Sequence, residues 1–305
     1  MSLQSFTLPA YAKINWRLHV LGRRADGFHE LRTIFQTVTL QDRLIFAQSE
    51  TESLALTCDD ASIPVDERNL VLRAARALRE KYEVRAGARV HLEKRIPAEA
   101  GLGGGSSDAA ITLLGLAHLW RIKTNREALA EIGASLGADV PFFLTGGTAL
   151  GTGLGTEIEP LADVRAERLL IVKPRAKVST AEAYKALKRP ALTKEMSDII
   201  LSISRAEARL QDSLHEVLHN DFEPAIYALY PEIAHARARL IEQGASGALL
   251  AGSGASVFGI FDNEEALDRA RSVLGGEPGW RVFRSAAIGR SAYMEALGAC
   301  AALLQ

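Results

Sequence analysis

Hydrophobic and polar residues alternate from Lys13 to Val20, near the start of the chain. An apolar side chain at every second position is typical of a strand with one face on a core. The alternation predicts a buried face of Ile14, Trp16, Leu18 and Val20 and an opposite, polar face of Lys13, Asn15, Arg17 and His19. We therefore expect a first strand whose polar face can contribute functional side chains.

The same patterns predict further strands and a set of amphipathic helices. Strands are expected over residues 33–40, 44–47, 89–96, 169–172, 248–250, 257–261 and 280–283. Helices are expected over 69–82, 127–136 and 264–273, after a cap at Ser107 or Asp108, and through much of 181–243. This mixture predicts an α/β (α+β) fold of two lobes with a cleft between them. The N-terminal domain is expected to span 1–157 and the C-terminal domain 158–305.

Composition narrows the class of protein. The 36 basic residues nearly balance the 37 acidic ones, giving a net charge of −1, which argues against a nucleic-acid binder. Cys58 and Cys300 are the only cysteines, so a disulfide framework is not expected, and a cytoplasmic location fits. Uncharged stretches at 140–156 and 243–261 predict buried strands and loops, because the second holds five glycines and three serines. The N-terminus has no signal-peptide pattern, and no membrane partner is expected.

The stretch PAEAGLGGGSSDAA, Pro97 to Ala110, is the strongest local indication of function. Closely spaced glycines let backbone N–H groups approach an anion, and a helix that follows adds its positive end. The stretch lacks the GK[ST] ending of a P-loop and the spacing of GxGxxG. It therefore predicts a phosphate site whose cation comes from elsewhere, the alternative being a flexible connector between strand and helix.

A second motif points to another class of enzyme. His215, Glu216 and His219 match HExxH, in which two histidines one helical turn apart bind zinc and the glutamate activates water. The extension HxxGxxH is absent, because NDFEPA follows His219. A zinc peptidase is the less favoured alternative.

Five motifs in order resemble one family over nearly the whole chain. They are AKIN at 12–15, GRRADGFHEL at 22–31, GLGGGSSDAA at 101–110, LGADVPFF at 136–143 and GSGASVF at 252–258. The glycine loop resembles that of the GHMP kinases. The set as a whole resembles the family that phosphorylates the 2-hydroxyl of 4-diphosphocytidyl-2-C-methyl-D-erythritol in the non-mevalonate isoprenoid pathway. The resemblance implies a two-lobed GHMP-kinase fold, ATP with Mg²⁺, and an acceptor linked to cytidine diphosphate.

The resemblance also implies roles for individual residues. Asp139 would accept the proton of the acceptor hydroxyl, and Lys13 would be its electrostatic partner. ATP would be held by Asn69, Lys94 and the glycine loop, that is Pro97, Ala98, Glu99, Ala100, Gly101, Leu102, Gly103, Gly104, Gly105, Ser106 and Ser107. No residue is assigned to a metal. Glu99 stands where the family usually has glycine or alanine, and its carboxylate is expected to point to solvent.

On the acceptor side, the resemblance implies an aromatic site for cytosine. Phe28 and Tyr184 would stack on the base and His29 would hydrogen-bond its edge, with Asn15 and Thr180 nearby. Phe28 replaces the family's usual tyrosine, so a contact through that hydroxyl is lost. A GHMP kinase acting on mevalonate or homoserine remains the alternative acceptor class. The oligomeric state is not readable from the sequence.

Overall fold

The computed structural model describes residues 5–187 and 214–304. Within them the chain forms a seven-stranded sheet, a four-stranded antiparallel sheet and helices packed on both. The mixed α/β (α+β) fold class is confirmed.

The larger sheet has the order β3-β4-β2-β1-β8, and β5 pairs with both β2 and β6. Its strands are β1 (Ser5–Arg23), β2 (His29–Gln48), β3 (Leu54–Cys58), β4 (Ala88–Glu93), β5 (Thr148–Gly153), β6 (Glu157–Pro160) and β8 (His219–Asn220). Strand β2 is continuous through residues 41–43, so the two strands expected at 33–40 and 44–47 are one. Its length allows β4 to pair with one end and β5 with the other.

A bulge in β1 corrects the alternation expected from the sequence. Asn15 lies opposite Phe35 and Arg17 lies opposite Ile34, so Trp16 is an additional residue in the ladder. An extra residue moves the following side chains to the other face of the sheet. Lys13, Asn15 and Leu18 therefore share one face, whereas Arg17 and His19 lie on the opposite one.

Four helices cover one face of this sheet: α1 (Leu70–Lys81), α2 (Gly104–Leu119), α3 (Arg126–Leu136) and α4 (Val140–Phe143). Helix α2 is buried almost all round, and the ring of Phe46 packs where a Cβ on Gly115 would lie. It begins at Gly104 after a left-handed Gly103, so Ser107 and Asp108 lie inside its first two turns and are not caps. Because the left-handed Gly103 precedes it, the helix begins without a side-chain cap and earlier along the chain than the sequence predicts.

The smaller sheet has the order β11-β7-β10-β9, all antiparallel. Its strands are β7 (Leu169–Lys173), β9 (Gly247–Leu250), β10 (Val257–Ile260) and β11 (Arg281–Ser285). The helices of this half are α5 (Thr180–Leu187), α6 (Leu214–Val217), α7 (Glu223–Leu229), α8 (Pro231–Glu242) and α9 (Glu264–Gly275). Much of the helix-rich region expected at 181–243 lies outside the described residues.

The last part of the chain returns to the first half. Helix α10 (Arg290–Ala296) and a 3-10 helix (Gly298–Leu304) place Tyr293 and Leu297 in the core formed by α1–α4 and the larger sheet. The expected division between residues 157 and 158 falls inside β6. Among the described residues, no helix combines the length and the apolar character needed to cross a membrane.

Candidate active site

A cavity of about 540 Å³ opens where the two sheets meet. Its walls come from β1, the glycine loop, the residues just before α4, α5 and a second glycine cluster at residues 251–256. The expected site residues that line it are Lys13, Asn15, Asn69, Lys94, the loop from Pro97 to Ser106, Asp139, Thr180 and Tyr184. Phe28 and His29 are not among the lining residues, and Ser107 is buried beneath the loop.

Lys13 and Asp139 meet at the floor of this cavity. The Lys13 Nζ lies 3.4 Å from Asp139 Oδ2, with the lysine side chain 5% exposed and the aspartate 31% exposed. The Lys13 backbone N–H also donates to Leu102 O at 2.9 Å, which ties β1 to the glycine loop. A buried ammonium therefore faces a solvent-accessible carboxylate beside a phosphate-type loop.

Asn15 fixes the direction of the lysine. The Lys13 Nζ donates to Asn15 Oδ1 at 2.9 Å, and Asn15 Nδ2 donates to Thr33 Oγ1 at 2.7 Å. Thr33 Oγ1 in turn donates to Arg17 O at 2.7 Å, a carbonyl exposed by the bulge in β1. The chain of hydrogen bonds leaves the ammonium directed at Asp139.

The glycine loop is held against the second glycine cluster by its backbone. Gly101 has φ +74°, and a Cβ there would lie 2.0 Å from Ala251 O. Ser256 N–H donates to Ala100 O at 3.0 Å. The start of α2 points its N–H groups into the cavity, and the buried Ser107 hydroxyl has no hydrogen-bond partner among the described residues. These features suit a polyphosphate.

Gly101→Ala should lower stability by about 2–5 kcal/mol, because a left-handed alanine is strained and its methyl group overlaps a backbone carbonyl. Gly105→Ala is the matched control, since Gly105 lies within α2 and a Cβ there meets nothing closer than Leu70 Cδ1 at 3.7 Å. Thermal unfolding without nucleotide distinguishes them. Equal melting temperatures for the two variants would contradict the described loop contact.

The second glycine cluster brings a residue that sequence analysis missed. The buried Asn220 donates from Nδ2 to Leu250 O at 2.9 Å and to Gly252 O at 2.7 Å. It thereby holds Gly252, where a Cβ would lie 3.1 Å from Lys13 Nζ. Leu18, Leu31, Leu154 and Phe222 also line the cavity and were missed, because apolar residues in strands and loops look like core.

Asn69 and Lys94 line the cavity but use their side chains within the protein. Asn69 caps α1, accepting from Val71 N–H at 2.9 Å, and donates to Pro64 O at 2.7 Å. Lys94 Nζ donates to Asp42 Oδ2 and Asp108 Oδ2, both at 2.6 Å. Their expected place near an adenine base stays a prediction. The Glu99 side chain is exposed, and its backbone φ is +51°.

Asp42, Lys94 and Asp108 form a buried group, and burial and charge shift the pKa values of Lys94 and Asp108. Burial opposes the Lys94 ammonium, but Asp108 and Asp42 outweigh it, so the pKa of Lys94 lies above its usual value. Burial, opposed by Lys94, raises the pKa of Asp108 to about 7. The lysine therefore keeps its charge, and Asp108 takes up a proton near neutral pH.

Of the aromatic residues expected at the acceptor side, His29 and Tyr184 are in contact with each other, whereas Phe28 is exposed. His29 stacks on Tyr184 with ring centroids 4.9 Å apart at 25°, and Tyr184 meets Phe222 edge-on at 5.0 Å. Phe28 is 62% exposed at the turn between β1 and β2. Burial, and then Arg23, lower the pKa of His29, which favours the neutral ring. Thr180 Oγ1 lies 3.5 Å from Ser253 Oγ at the cavity edge.

The geometry does not favour the zinc-peptidase alternative. Helix α6 ends at Val217, and His219 lies in β8, paired in parallel with β1. Two histidines of HExxH must share one continuous helix to bind one ion. His219 Nε2 instead contacts Asp221 Oδ1 at 2.7 Å and its ring stacks on His19. The side chains of His215 and Glu216 lie outside the described residues.

Comparisons with known proteins agree with this arrangement. The family model "GHMP kinases N terminal domain" matches residues 69–147, and "GHMP kinases C terminal" matches 200–278. A Pelotomaculum thermopropionicum protein named 4-diphosphocytidyl-2-C-methyl-D-erythritol kinase is 43% identical over 270 residues, which are 88% of this chain and 92% of that protein.

Solved structures give the same result for the fold. A crystal structure of 4-(cytidine 5'-diphospho)-2C-methyl-D-erythritol kinase is 35% identical, with a TM-score of 0.75, and the match covers 93% of this chain and 100% of that one. A homoserine kinase from Cytophaga hutchinsonii is 21% identical, with a TM-score of 0.70 and coverage of 95% and 96%. A likeness at that identity shows the fold alone.

Proposed function

The chain belongs to the 4-diphosphocytidyl-2-C-methyl-D-erythritol kinase family of the GHMP kinases, and from this premise we propose how its residues perform the reaction. The chain is a small-molecule phosphotransferase that uses ATP. Its reaction is phosphorylation of the 2-hydroxyl of 4-diphosphocytidyl-2-C-methyl-D-erythritol in the non-mevalonate isoprenoid pathway. The observation that carries the proposed mechanism is the Lys13–Asp139 pair beside the glycine loop.

Asp139 is proposed as the general base. As the acceptor oxygen bonds to the γ-phosphorus, the bond from that phosphorus to the ADP oxygen breaks and the hydroxyl proton passes to Asp139. Lys13 keeps the carboxylate oriented and attracts the negative charge of the transferring group. Positioning and electrostatics are the main contributions a protein makes to phosphoryl transfer, and Lys13, hydrogen-bonded to Asn15 and paired with Asp139, is suited to both.

The phosphates of ATP are proposed to lie along residues 97–107. Backbone N–H groups at the start of α2, which borders the cavity, are proposed as donors to them, and the Ser107 hydroxyl, buried beneath the loop without a hydrogen-bond partner among the described residues, is proposed as a further donor. Asn69 and Lys94 are proposed on the adenine side of the same cavity. We propose Mg²⁺ as the counter-ion of the phosphates when ATP is bound, without assigning a residue of this chain to it.

The cytidine end of the acceptor is proposed to use Tyr184 as its stacking platform. His29 already lies against that ring, which supports an aromatic slot at this position. A neutral His29 offers one donor and one acceptor for the edge of a cytosine. Phe28 is proposed as the second ring and reaches the base by a movement of the exposed β1–β2 turn, while Asn15 and Thr180 contact the alcohol.

The remaining proposals concern the setting of the enzyme. We propose a cytoplasmic enzyme whose partners are small molecules, with no nucleic acid and no membrane. We also propose that residues 1–157 act as the ATP-binding domain and residues 158–305 as the substrate-side domain. The cavity draws its phosphate loop from the first range and Thr180 and Tyr184 from the second.

An acceptor panel tests the function. ADP release is measured with ATP and 4-diphosphocytidyl-2-C-methyl-D-erythritol, 2-C-methyl-D-erythritol, mevalonate or homoserine. We expect turnover with the first compound and at least about a hundredfold lower kcat/KM with the second, since stacking of one base contributes about 1–3 kcal/mol and hydrogen bonds to its edge add to this. Turnover with mevalonate or homoserine alone would place the chain with another acceptor class.

A further inference from the structure

Asp42, Lys94 and Asp108 form a buried group directly beneath the glycine loop. Their side chains are 0%, 6% and 4% exposed, and Lys94 Nζ lies 2.6 Å from one oxygen of each carboxylate. A Cβ on Gly104, the first residue of α2, would lie 3.2 Å from the same Nζ. The ammonium is therefore packed against the start of α2, at the edge of the cavity that Lys94 and Asp108 line.

The three residues connect the two ends of that loop. Asp42, in β2, accepts at Oδ1 from the N–H groups of Arg95 and Ile96, which lead into the loop. Asp108, in α2, follows the loop and is joined to Asp42 through Lys94. One strand thus determines where the loop begins and, through a single lysine, where the helix after it begins.

Such a group costs free energy to bury, all the more because Asp108 Oδ1 has no hydrogen-bond partner among the described residues. Removing one partner of a buried charged set leaves the others without compensation, whereas exposed pairs contribute little. The arrangement is consistent with a demand for a fixed backbone at this point. Backbone N–H groups bind an anion well only if they are directed at it before it arrives.

We propose that Asp42, Lys94 and Asp108 are positioning residues that set the geometry of the phosphate loop, so that Lys94 acts on ATP through the loop and not by touching the base. The inference rests on the proposed ATP site. It assigns to Lys94 a role that is independent of the adenine ring, and it makes Asp108 necessary although its carboxylate, once ionised, would repel the phosphates.

The direction in which substitution of Asp108 changes the affinity for phosphates distinguishes a positioning role from a purely electrostatic one. Asp108→Ala, measured at a pH above the Asp108 pKa of about 7, removes a negative charge near the phosphates, so electrostatics alone would tighten binding of ATP and of inorganic tripolyphosphate. Loss of positioning weakens both, by about tenfold to a hundredfold, the equivalent of one buried hydrogen bond to a charged group. Asp108→Asn retains an acceptor for Lys94 and should restore affinity towards that of the natural chain.

Lys94→Met separates positioning from contact with the base. Dissociation constants are measured calorimetrically for ATP and for inorganic tripolyphosphate, with Lys81→Met as a control that removes an exposed lysine paired with Glu131. Positioning predicts that both ligands weaken by the same factor and that the KM for the acceptor is unchanged. A loss confined to ATP, or tighter binding by Asp108→Ala, overturns the inference.

Folding is followed by thermal unfolding of every variant. If Asp108→Ala does not fold, Asp108→Asn still tests the sign: an affinity for tripolyphosphate close to that of the natural chain supports positioning, because an acceptor for Lys94 remains, and tighter binding overturns it. If the natural chain binds neither ATP nor tripolyphosphate, the proposed function itself fails. If instead the natural chain binds both ligands and the variants bind them equally well, the proposed function stands and the positioning inference fails.

Discussion

Asp139→Asn should lower kcat by about 10²- to 10⁴-fold, the range that general-base catalysis contributes. Asparagine has the shape of aspartate but cannot take the proton of the acceptor hydroxyl. The residue is 31% exposed and precedes α4 without making a side-chain cap, so the fold should persist. The KM for ATP should change little, because the phosphate loop is held by backbone contacts that do not involve Asp139.

The measurement is steady-state ADP release at saturating ATP and acceptor, with ATP binding measured separately by calorimetry. Glu157→Gln is the matched control, since it converts a carboxylate to an amide outside the cavity, where Glu157 contacts Thr152. Unchanged kcat in Asp139→Asn would remove the base from the mechanism. A loss of ATP binding equal to the loss of kcat would reassign Asp139 to the nucleotide site.

Local elements were predictable because their signals are local. The helix at 126–136 ends just before Gly137. At its start, the Asn125 side chain caps it by accepting a hydrogen bond from Ala128 N–H. The strands at 169–173 and 257–260 are short apolar runs that lie within the buried smaller sheet. Each follows from residues a few positions apart, and the expected bounds differ from the observed ones by one or two residues.

Register was not predictable, because nothing in the sequence of β1 marks its bulge. The additional residue at Trp16 turns Leu18 towards the cavity and Arg17 away from it, opposite to simple alternation. The parallel pairing of the two-residue β8 with β1 was missed for a related reason. It depends on a chain crossing of about two hundred residues, and pairs that distant leave no periodic pattern.

The site was predictable only where residues recur as motifs. The glycine loop has a physical meaning by itself, whereas Lys13 and Asp139 acquire one through the resemblance to a family, because 126 positions separate them. Asn220 carried no such signal, because it stands among polar residues in NDFEP, and its hydrogen bonds to Leu250 O and Gly252 O are visible only in the structure. For Lys94 the sequence suggested direct contact with the nucleotide, because the lysine stands close to the glycine loop. Its contacts with the buried Asp42 and Asp108 are visible only in the structure.

Lys13→Met should lower kcat/KM by about 10²- to 10³-fold, comparable to loss of one group that stabilises transition-state charge. Methionine fills the buried volume between Phe35 and Gly103 but leaves Asn15 Oδ1 without its donor and Asp139 without its cation. Lys13→Arg should not restore activity. A Cβ at Gly103 would already lie 3.0 Å from Lys13 Cγ and one at Gly252 3.1 Å from Nζ, so a guanidinium has no room.

The double variant Lys13→Met/Asp139→Asn decides whether the two residues work as one unit. Each single substitution destroys the same proposed arrangement, in which the ammonium would orient the base and attract the phosphoryl charge. The double variant should therefore lose little more than the more damaging single one. Fold-losses in kcat/KM that multiply would mean that Lys13 acts on the phosphates independently of Asp139. In that case the 3.4 Å approach between the two side chains would have no catalytic consequence.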